Sequence, residues 1–222
     1  MFRRISIDIS MWLALWCGSW GIFYVMLSKG INYISRPIFT AVYFSLATLL
    51  VIGLYRDILR KTGSRLKSIS WPVPSLSLGC GVAVYLIIPL LLFPPHKLIL
   101  QHPDMFFLHL DLKYLFAKLF DISFQQTLMV MLIVLRVNRG LSLNRISRIC
   151  LTLFGSAHLY LLGGNGWVLG GLFVAFSMLA GWIFPPLIMR HKNGIAYTFS
   201  LHWMFYVVTG TMCWLCPSVF AY

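Results

Sequence analysis

Glutamate is absent from this 222-residue chain, and all five of its acidic residues are aspartates. Charged residues make up only 10% of the sequence and apolar residues 59%, with a mean hydropathy of +0.84. Because soluble domains carry about 25% charged residues, this composition excludes an ordinary soluble globular protein. The five cysteines are an odd number and give no basis for a disulfide framework.

Long apolar runs are abundant, and they approach the roughly 20 residues that a helix needs to cross a bilayer. They lack the alternating pattern of membrane barrel strands, so the sequence predicts an all-α polytopic membrane helix bundle. Arg3 and Arg4 precede the first run as in a signal peptide, but no small-residue cleavage site follows, which favours a retained first helix. The predicted spans are residues 11–28, 37–55, 74–94, 112–135, 149–162, 167–189 and 195–216.

The net charge of +13 follows the predicted membrane topology. Most basic residues fall before the first span and in alternate connections, above all 56–72 and 136–148. The positive-inside rule therefore predicts about seven transmembrane helices in a plasma (inner) membrane, with the N-terminus cytoplasmic. The basic loops lack the interleaved aromatic residues of single-strand binders, so we expect the partner to be the anionic surface of the lipid bilayer and not nucleic acid.

Two groups of residues resemble a metal site or a redox pair in composition, but not in spacing or position. A connection predicted on the outer side carries His96, His102, Asp104, His109 and Asp111, but their spacing matches no known metal site. The CWLC motif near residue 216 lies at the end of a span, whereas redox pairs begin a helix after a strand. We therefore expect no metal and no cofactor.

Polar residues within the predicted spans are the candidates for function, because such residues are costly in lipid and usually face the bundle interior. Gln125 and Gln126 precede a fully apolar run in the fourth span. His158 ends the sequence FGSAH in the fifth span, and His202 begins HWMFY in the seventh. The simpler interpretation is that each residue bridges helices by a hydrogen bond of about 0.6 kcal/mol.

The order of these motifs resembles that of the CAAX-protease and bacteriocin-processing family of intramembrane endopeptidases. That family carries an acidic pair followed by Phe-Arg, then Phe-x-x-x-His, then His-x-x-x-Asn, on successive helices. Here the second motif is complete from Phe154 to His158, and the Gly-rich helix and basic turn before His202 are also similar. The resemblance covers roughly residues 112–215 and implies a division into N-terminal helices at 1–111 and a protease-like core at 112–222.

The departures from the family pattern concern the catalytic chemistry that the resemblance implies. Gln125 and Gln126 stand at the acidic pair, whose glutamate activates water in the family, and Tyr206 stands at the asparagine that holds the oxyanion. A neutral amide cannot accept a proton, so a general base worth roughly 10²- to 10⁴-fold is missing from its place. Asp121, one helical turn before Gln125, is either a substitute base or a helix cap at the interface.

Three functions remain open from the sequence. The first is an endopeptidase that acts on membrane-embedded or lipidated protein tails, with Asp121 or a histidine as base. The second is a catalytically silent relative that binds such a segment as a chaperone, immunity or assembly factor. The third, a small transporter, is disfavoured because the sequence has no inverted repeat. The Gln pair lies near the bilayer middle if its helix begins near Leu112, and near the outer surface if the helix begins at Asp121.

Overall fold

A computed structural model of the chain describes residues 2–62, 112–164 and 167–215. Every element in these ranges is a helix, as the apolar runs predict. The helices are α1 (Phe2–Ser28), α2 (Pro37–Leu54), α3 (Arg56–Thr62), α4 (Leu112–Val137), α5 (Leu143–His158), α6 (Leu161–Gly164), α7 (Trp167–Arg190) and α8 (Gly194–Leu215). The predicted third span at 74–94 lies outside the described residues.

Four helices are long and apolar enough to cross a membrane, which indicates a membrane protein. They cover Ile9–Ser28, Pro37–Leu54, Lys113–Val137 and Trp167–Arg190, close to four of the predicted spans. The predicted fifth and seventh spans form α5 and α8, which are helical but are not among these four. The prediction of seven spans is therefore confirmed only for the helical fold and for four apolar helices.

Helix α5 differs from a lipid-exposed span because its two faces have opposite character. Its buried face carries Ile146, Ser147, Cys150, Phe154 and Gly155. Polar side chains follow the exposed face along its length: Asn144, Arg145, Arg148, Thr152 and Ser156. This 3.6-residue periodicity is typical of a helix that packs with one side only.

The described residues form two compact units, and the first contains α1 to α4. Helix α4 is its centre, because 72% of the spanning window is buried and every side chain from Leu128 to Leu135 is buried. The Trp12 indole of α1 donates a hydrogen bond of 2.8 Å to the Leu128 carbonyl. Phe44 of α2 packs 5.8 Å from Phe124 of α4, measured between ring centroids.

The second unit contains α5 to α8, and glycines allow its helices to pack closely. A Cβ on Gly181 of α7 would lie 2.5 Å from the Leu151 nitrogen of α5, and one on Gly155 of α5 would lie 2.5 Å from Met178 Cγ of α7. These contacts run in opposite chain directions, so α5 and α7 are antiparallel. Asn193 then turns the chain into α8 with a φ of 65°, a left-handed conformation that asparagine tolerates.

Candidate functional site

Asp121 lies in the interior of α4, which begins at Leu112. The interpretation of Asp121 as a cap at the helix start is therefore wrong, because the helix continues for nine residues on its N-terminal side. The Gln pair consequently lies near the middle of the 26-residue helix, as expected for a start near Leu112. Asp121 is fully buried, and Gln126 is only 3% exposed.

Three donors surround the Asp121 carboxylate. The Lys118 Nζ lies 2.6 Å from Oδ2, and the Tyr33 hydroxyl donates a hydrogen bond of 2.9 Å to the same oxygen. The Gln125 Nε2 donates to the other oxygen, Oδ1, at 2.7 Å. Both carboxylate oxygens are thus engaged by side chains of the first unit, and we call these four residues the Asp121 cluster.

Lys118 brings a full positive charge into this buried environment. It is only 1% exposed, lies three residues before Asp121 on the same helix face, and sits 4.9 Å from the centroid of the Tyr33 ring. Removing two charges from water is unfavourable unless the geometry is good and further hydrogen bonds satisfy the ions. The two additional donors and the aromatic face provide that compensation.

Tyr33 reaches the cluster from the connection between α1 and α2. Burial raises the pKa of its phenol well above its ordinary value, and the Asp121 carboxylate raises it further. The phenol therefore keeps its proton at neutral pH, so it acts as a hydrogen-bond donor to the carboxylate. Phe23 and Tyr114 pack around the ring at centroid distances of 5.2 and 5.6 Å.

His158 is the last residue of α5, and its ring is fixed by its own helix. Its Nδ1 lies 2.7 Å from the Phe154 carbonyl oxygen. Because a carbonyl only accepts, Nδ1 carries the hydrogen, and Nε2 is the basic nitrogen of the neutral ring.

A series of ring contacts in the second unit connects His158 with Tyr206 and His202. The His158 ring lies parallel to the ring of Phe173 on α7, with a centroid distance of 6.4 Å. Phe173 contacts Tyr206 of α8 at 5.9 Å, and Tyr206 stacks on His202 at 5.6 Å. Phe173 and Tyr206 are buried, whereas both histidines are half-buried. We call these four residues the histidine cluster.

The candidate residues therefore form two groups. Asp121 and Gln125 belong to one hydrogen-bonded cluster in the first unit, and His158, His202 and Tyr206 belong to another cluster in the second. The polar residues within the spans also predict that Gln125 or Gln126, His158 and His202 converge in one polar cavity, and this stays a prediction.

Lys118 and Tyr33 are members of the Asp121 cluster that the motif analysis missed. The contact of Lys118 with Asp121 could have been predicted from the sequence, because a lysine three residues before an aspartate pairs with it on a helix. The contact of Tyr33 could not, since 88 positions separate it from Asp121 in sequence.

Residue types that bind metals do not gather in the part of the chain that the structure describes: no three His, Cys, Asp or Glu side chains come together there. The predicted outer connection with its three histidines, and Cys216 of the CWLC motif, lie outside those residues. Cys17 is exposed and Cys150 is buried.

Comparison with known proteins gives no relative: no family model, no curated protein and no solved structure matches this chain.

Proposed function

We propose that this protein is a non-hydrolytic membrane protein that binds membrane-embedded segments or lipidated tails of client proteins, as a catalytically silent relative of the CAAX-type endopeptidases. The observation that carries the proposal is the state of the Asp121 carboxylate. Its two oxygens accept from Lys118, Tyr33 and Gln125. A carboxylate held in this way is a structural counter-ion.

This arrangement lacks a general base for peptide hydrolysis. The chain has no glutamate, and Asp121 is the only aspartate between residues 112 and 222. If Asp121 took a proton from water, its charge would be lost and the buried Lys118 ammonium would be left uncompensated, which costs about 3–5 kcal/mol. Gln125 and Gln126 are neutral amides and cannot take a proton in its place.

Binding is supported by what remains of the resemblance. His158 and Tyr206 keep polar atoms beside the aromatic ring of Phe173, and His202 stacks on Tyr206. Neutral imidazole and phenol groups form hydrogen bonds with peptide groups, and aromatic rings contact lipid chains or apolar side chains. Polar residues in membrane helices are functional by default, so we assign client binding to the histidine cluster.

A peptidase that uses His158 as its base is the competing function, because its tautomer leaves Nε2 basic. The proposal is tested by placing a photo-crosslinking amino acid at Leu201, which is 52% exposed and adjacent to His202 in α8. The same amino acid at Leu46 of α2, 61% exposed, is the matched control. Membranes that contain single-span and lipidated test proteins are then irradiated.

We expect intact test proteins crosslinked at Leu201, and fewer of them in the His202→Phe variant. Equal crosslinking from Leu46 would contradict a binding site at the histidine cluster. Shortened test proteins that disappear in His158→Ala would instead support the peptidase.

We further propose the topology that the basic residues predict: a multi-pass protein of the inner membrane with seven spans and a cytoplasmic N-terminus. Single cysteines introduced as Arg60→Cys and Asn138→Cys, in a chain without its native cysteines, should be labelled only from the cytoplasmic side. Lys29→Cys should be labelled from the opposite side. Labelling of either of the first two from outside would overturn this orientation.

A further inference from the structure

Basic side chains gather at one end of the second unit, where the first turns of α5 approach the last turn of α7. The antiparallel contact of Gly181 with Cys150 fixes the register of these helices. Arg145 lies five residues before Cys150, and Arg190 lies nine after Gly181. At about 1.5 Å per residue, their positions differ by roughly 6 Å along the helix axes. We define the basic end as Arg145, Arg148, Arg190, His191 and Lys192.

All five side chains of the basic end are exposed. The turn that carries three of them is defined by backbone hydrogen bonds, since the His191 nitrogen donates to the Leu187 carbonyl at 3.2 Å and the Gly194 nitrogen donates to the His191 carbonyl at 3.1 Å. Asn193 is buried beneath it, with only 8% of its surface exposed. The backbone thus presents these charges without a long loop.

The positive charge of the basic end has no acidic counterpart nearby in sequence, because residues 142–215 contain no aspartate and no glutamate. Arg145 and Arg190 differ along the helix axes by less than the Debye length of about 8 Å at physiological salt, so their potentials reinforce one another. An anion that approaches this end meets several cations at once.

The position of the basic end at the end of a membrane span indicates which kind of anion it binds. Arg190 is the last residue of the apolar helix Trp167–Arg190, so the end of that span coincides with the charges. Headgroup phosphates are the anions found at the boundary of a span, and guanidinium groups bind phosphate oxygens in a bidentate manner. We propose that the basic end is a binding site for the headgroup phosphate of anionic phospholipids. This site is separate from the proposed client site and does not depend on it.

The test measures lipid binding to the purified full-length protein in a neutral detergent by native mass spectrometry. The probes are phosphatidylglycerol and phosphatidylcholine with identical acyl chains. The variants are Arg145→Gln/Arg148→Gln and Arg190→Gln/Lys192→Gln. The matched control is Lys29→Gln/Arg36→Gln, which removes two exposed basic residues between α1 and α2, on the predicted opposite side of the membrane. Because every substituted residue is exposed or half-buried, we expect each variant to fold, which circular dichroism checks.

We expect the wild type to bind phosphatidylglycerol more tightly than phosphatidylcholine. Each double variant should lose about thirtyfold in this affinity, because each basic residue near an anionic surface contributes a factor of roughly five. Equal binding of the two lipids, or an equal loss in the control, would overturn the proposal. Soluble glycerol phosphate is added as a competitor, and displacement of the lipid at equal concentration would show a site for free phosphate and overturn the assignment to lipid.

Discussion

The two polar clusters of this protein use opposite means to keep polar groups within apolar helices. The Asp121 cluster pairs a carboxylate with an ammonium group; two neutral donors complete the carboxylate, and the Tyr33 ring faces the ammonium. The histidine cluster contains no carboxylate and packs aromatic rings against one another. The first arrangement holds its members in place, whereas the second contains the half-buried imidazoles to which we assign client binding.

This difference predicts which substitutions should change the stability of the protein and which should change client binding. A buried ion pair is strongly sensitive to the loss of either partner, because the remaining charge is then uncompensated. Hydrogen bonds of neutral side chains within a membrane average only about 0.6 kcal/mol. Substitutions in the Asp121 cluster should therefore change the free energy of unfolding, and those in the histidine cluster should mainly change client binding.

The largest effect is expected for Lys118→Met, which leaves the Asp121 carboxylate buried without its counter-ion. We predict a loss of about 3–5 kcal/mol in the free energy of unfolding. The double variant Lys118→Met/Asp121→Leu removes both charges and should recover most of this loss. Thermal and denaturant unfolding in detergent measures both, and a double variant as unstable as the single one would contradict the role of charge.

Tyr33→Phe removes one hydrogen bond to the carboxylate while the ring remains. Hydrogen bonds to charged groups contribute about 1.5–3 kcal/mol, so we expect a loss in that range by the same unfolding measurement. Tyr24→Phe is the matched control, because Tyr24 is 74% exposed and its hydroxyl lies outside the cluster. Similar losses in both variants would rule out the specific bond.

The raised pKa of Tyr33 also predicts a dependence on pH. Its pKa in the folded protein lies above that of the unfolded chain, near 10, so the folded state binds the proton more tightly. The contribution to stability is fully present below pH 10 and is lost as the pH rises toward the folded pKa. The stability difference between wild type and Tyr33→Phe should therefore shrink above pH 10, and a constant difference up to pH 12 would contradict this.

Gln125→Glu replaces the donor at Oδ1 of Asp121 with a second carboxylate. We expect a loss of about 1–3 kcal/mol, because a buried acceptor loses its donor and a like charge is added. Gln125→Met, which removes the donor without adding charge, is the control, and Gln125→Glu should be less stable than Gln125→Met because of the added like charge. An unfolding free energy unchanged by Gln125→Glu would show that this hydrogen bond is unimportant.

The smallest effect on stability is expected in the histidine cluster. His202→Phe should change the free energy of unfolding by about 0.6 kcal/mol or less, since an aromatic ring is retained. Its crosslinking to client proteins from position 201 should nevertheless fall. A large loss of stability with unchanged crosslinking would reverse the comparison between the two clusters.

The sequence predicted most accurately the helices that consist of one long apolar run. Helix α2 ends one residue before its predicted bound, and α7 ends one residue after it. Helix α5 was predicted at 149–162 but begins at Leu143, because Asn144 and Arg145 extend the polar face of an amphipathic helix that a search for apolar runs does not detect.

The start of α4 was left open for a related reason. Lys118 and Asp121 look incompatible with a membrane helix when each charge is considered alone, but as a pair they neutralise each other within one turn. The third member of their cluster, Tyr33, comes from a distant turn, and only the packing of α1 and α2 on α4 brings it close. The local sequence pattern therefore identified Asp121 and Gln125 as candidate site residues, whereas only the tertiary structure shows that they belong to one hydrogen-bonded cluster.

Cleavage of a membrane-embedded peptide library by the purified protein tests the central claim most directly. Wild type, Asp121→Asn and His158→Ala are incubated with the library, and the products are identified by mass spectrometry. We predict no cleavage above that of empty membranes for any of the three proteins, because Asp121 is paired with Lys118 and is the only aspartate between residues 112 and 222. Cleavage by the wild type that is abolished in Asp121→Asn, while that variant remains folded, would contradict the account and make Asp121 the catalytic base.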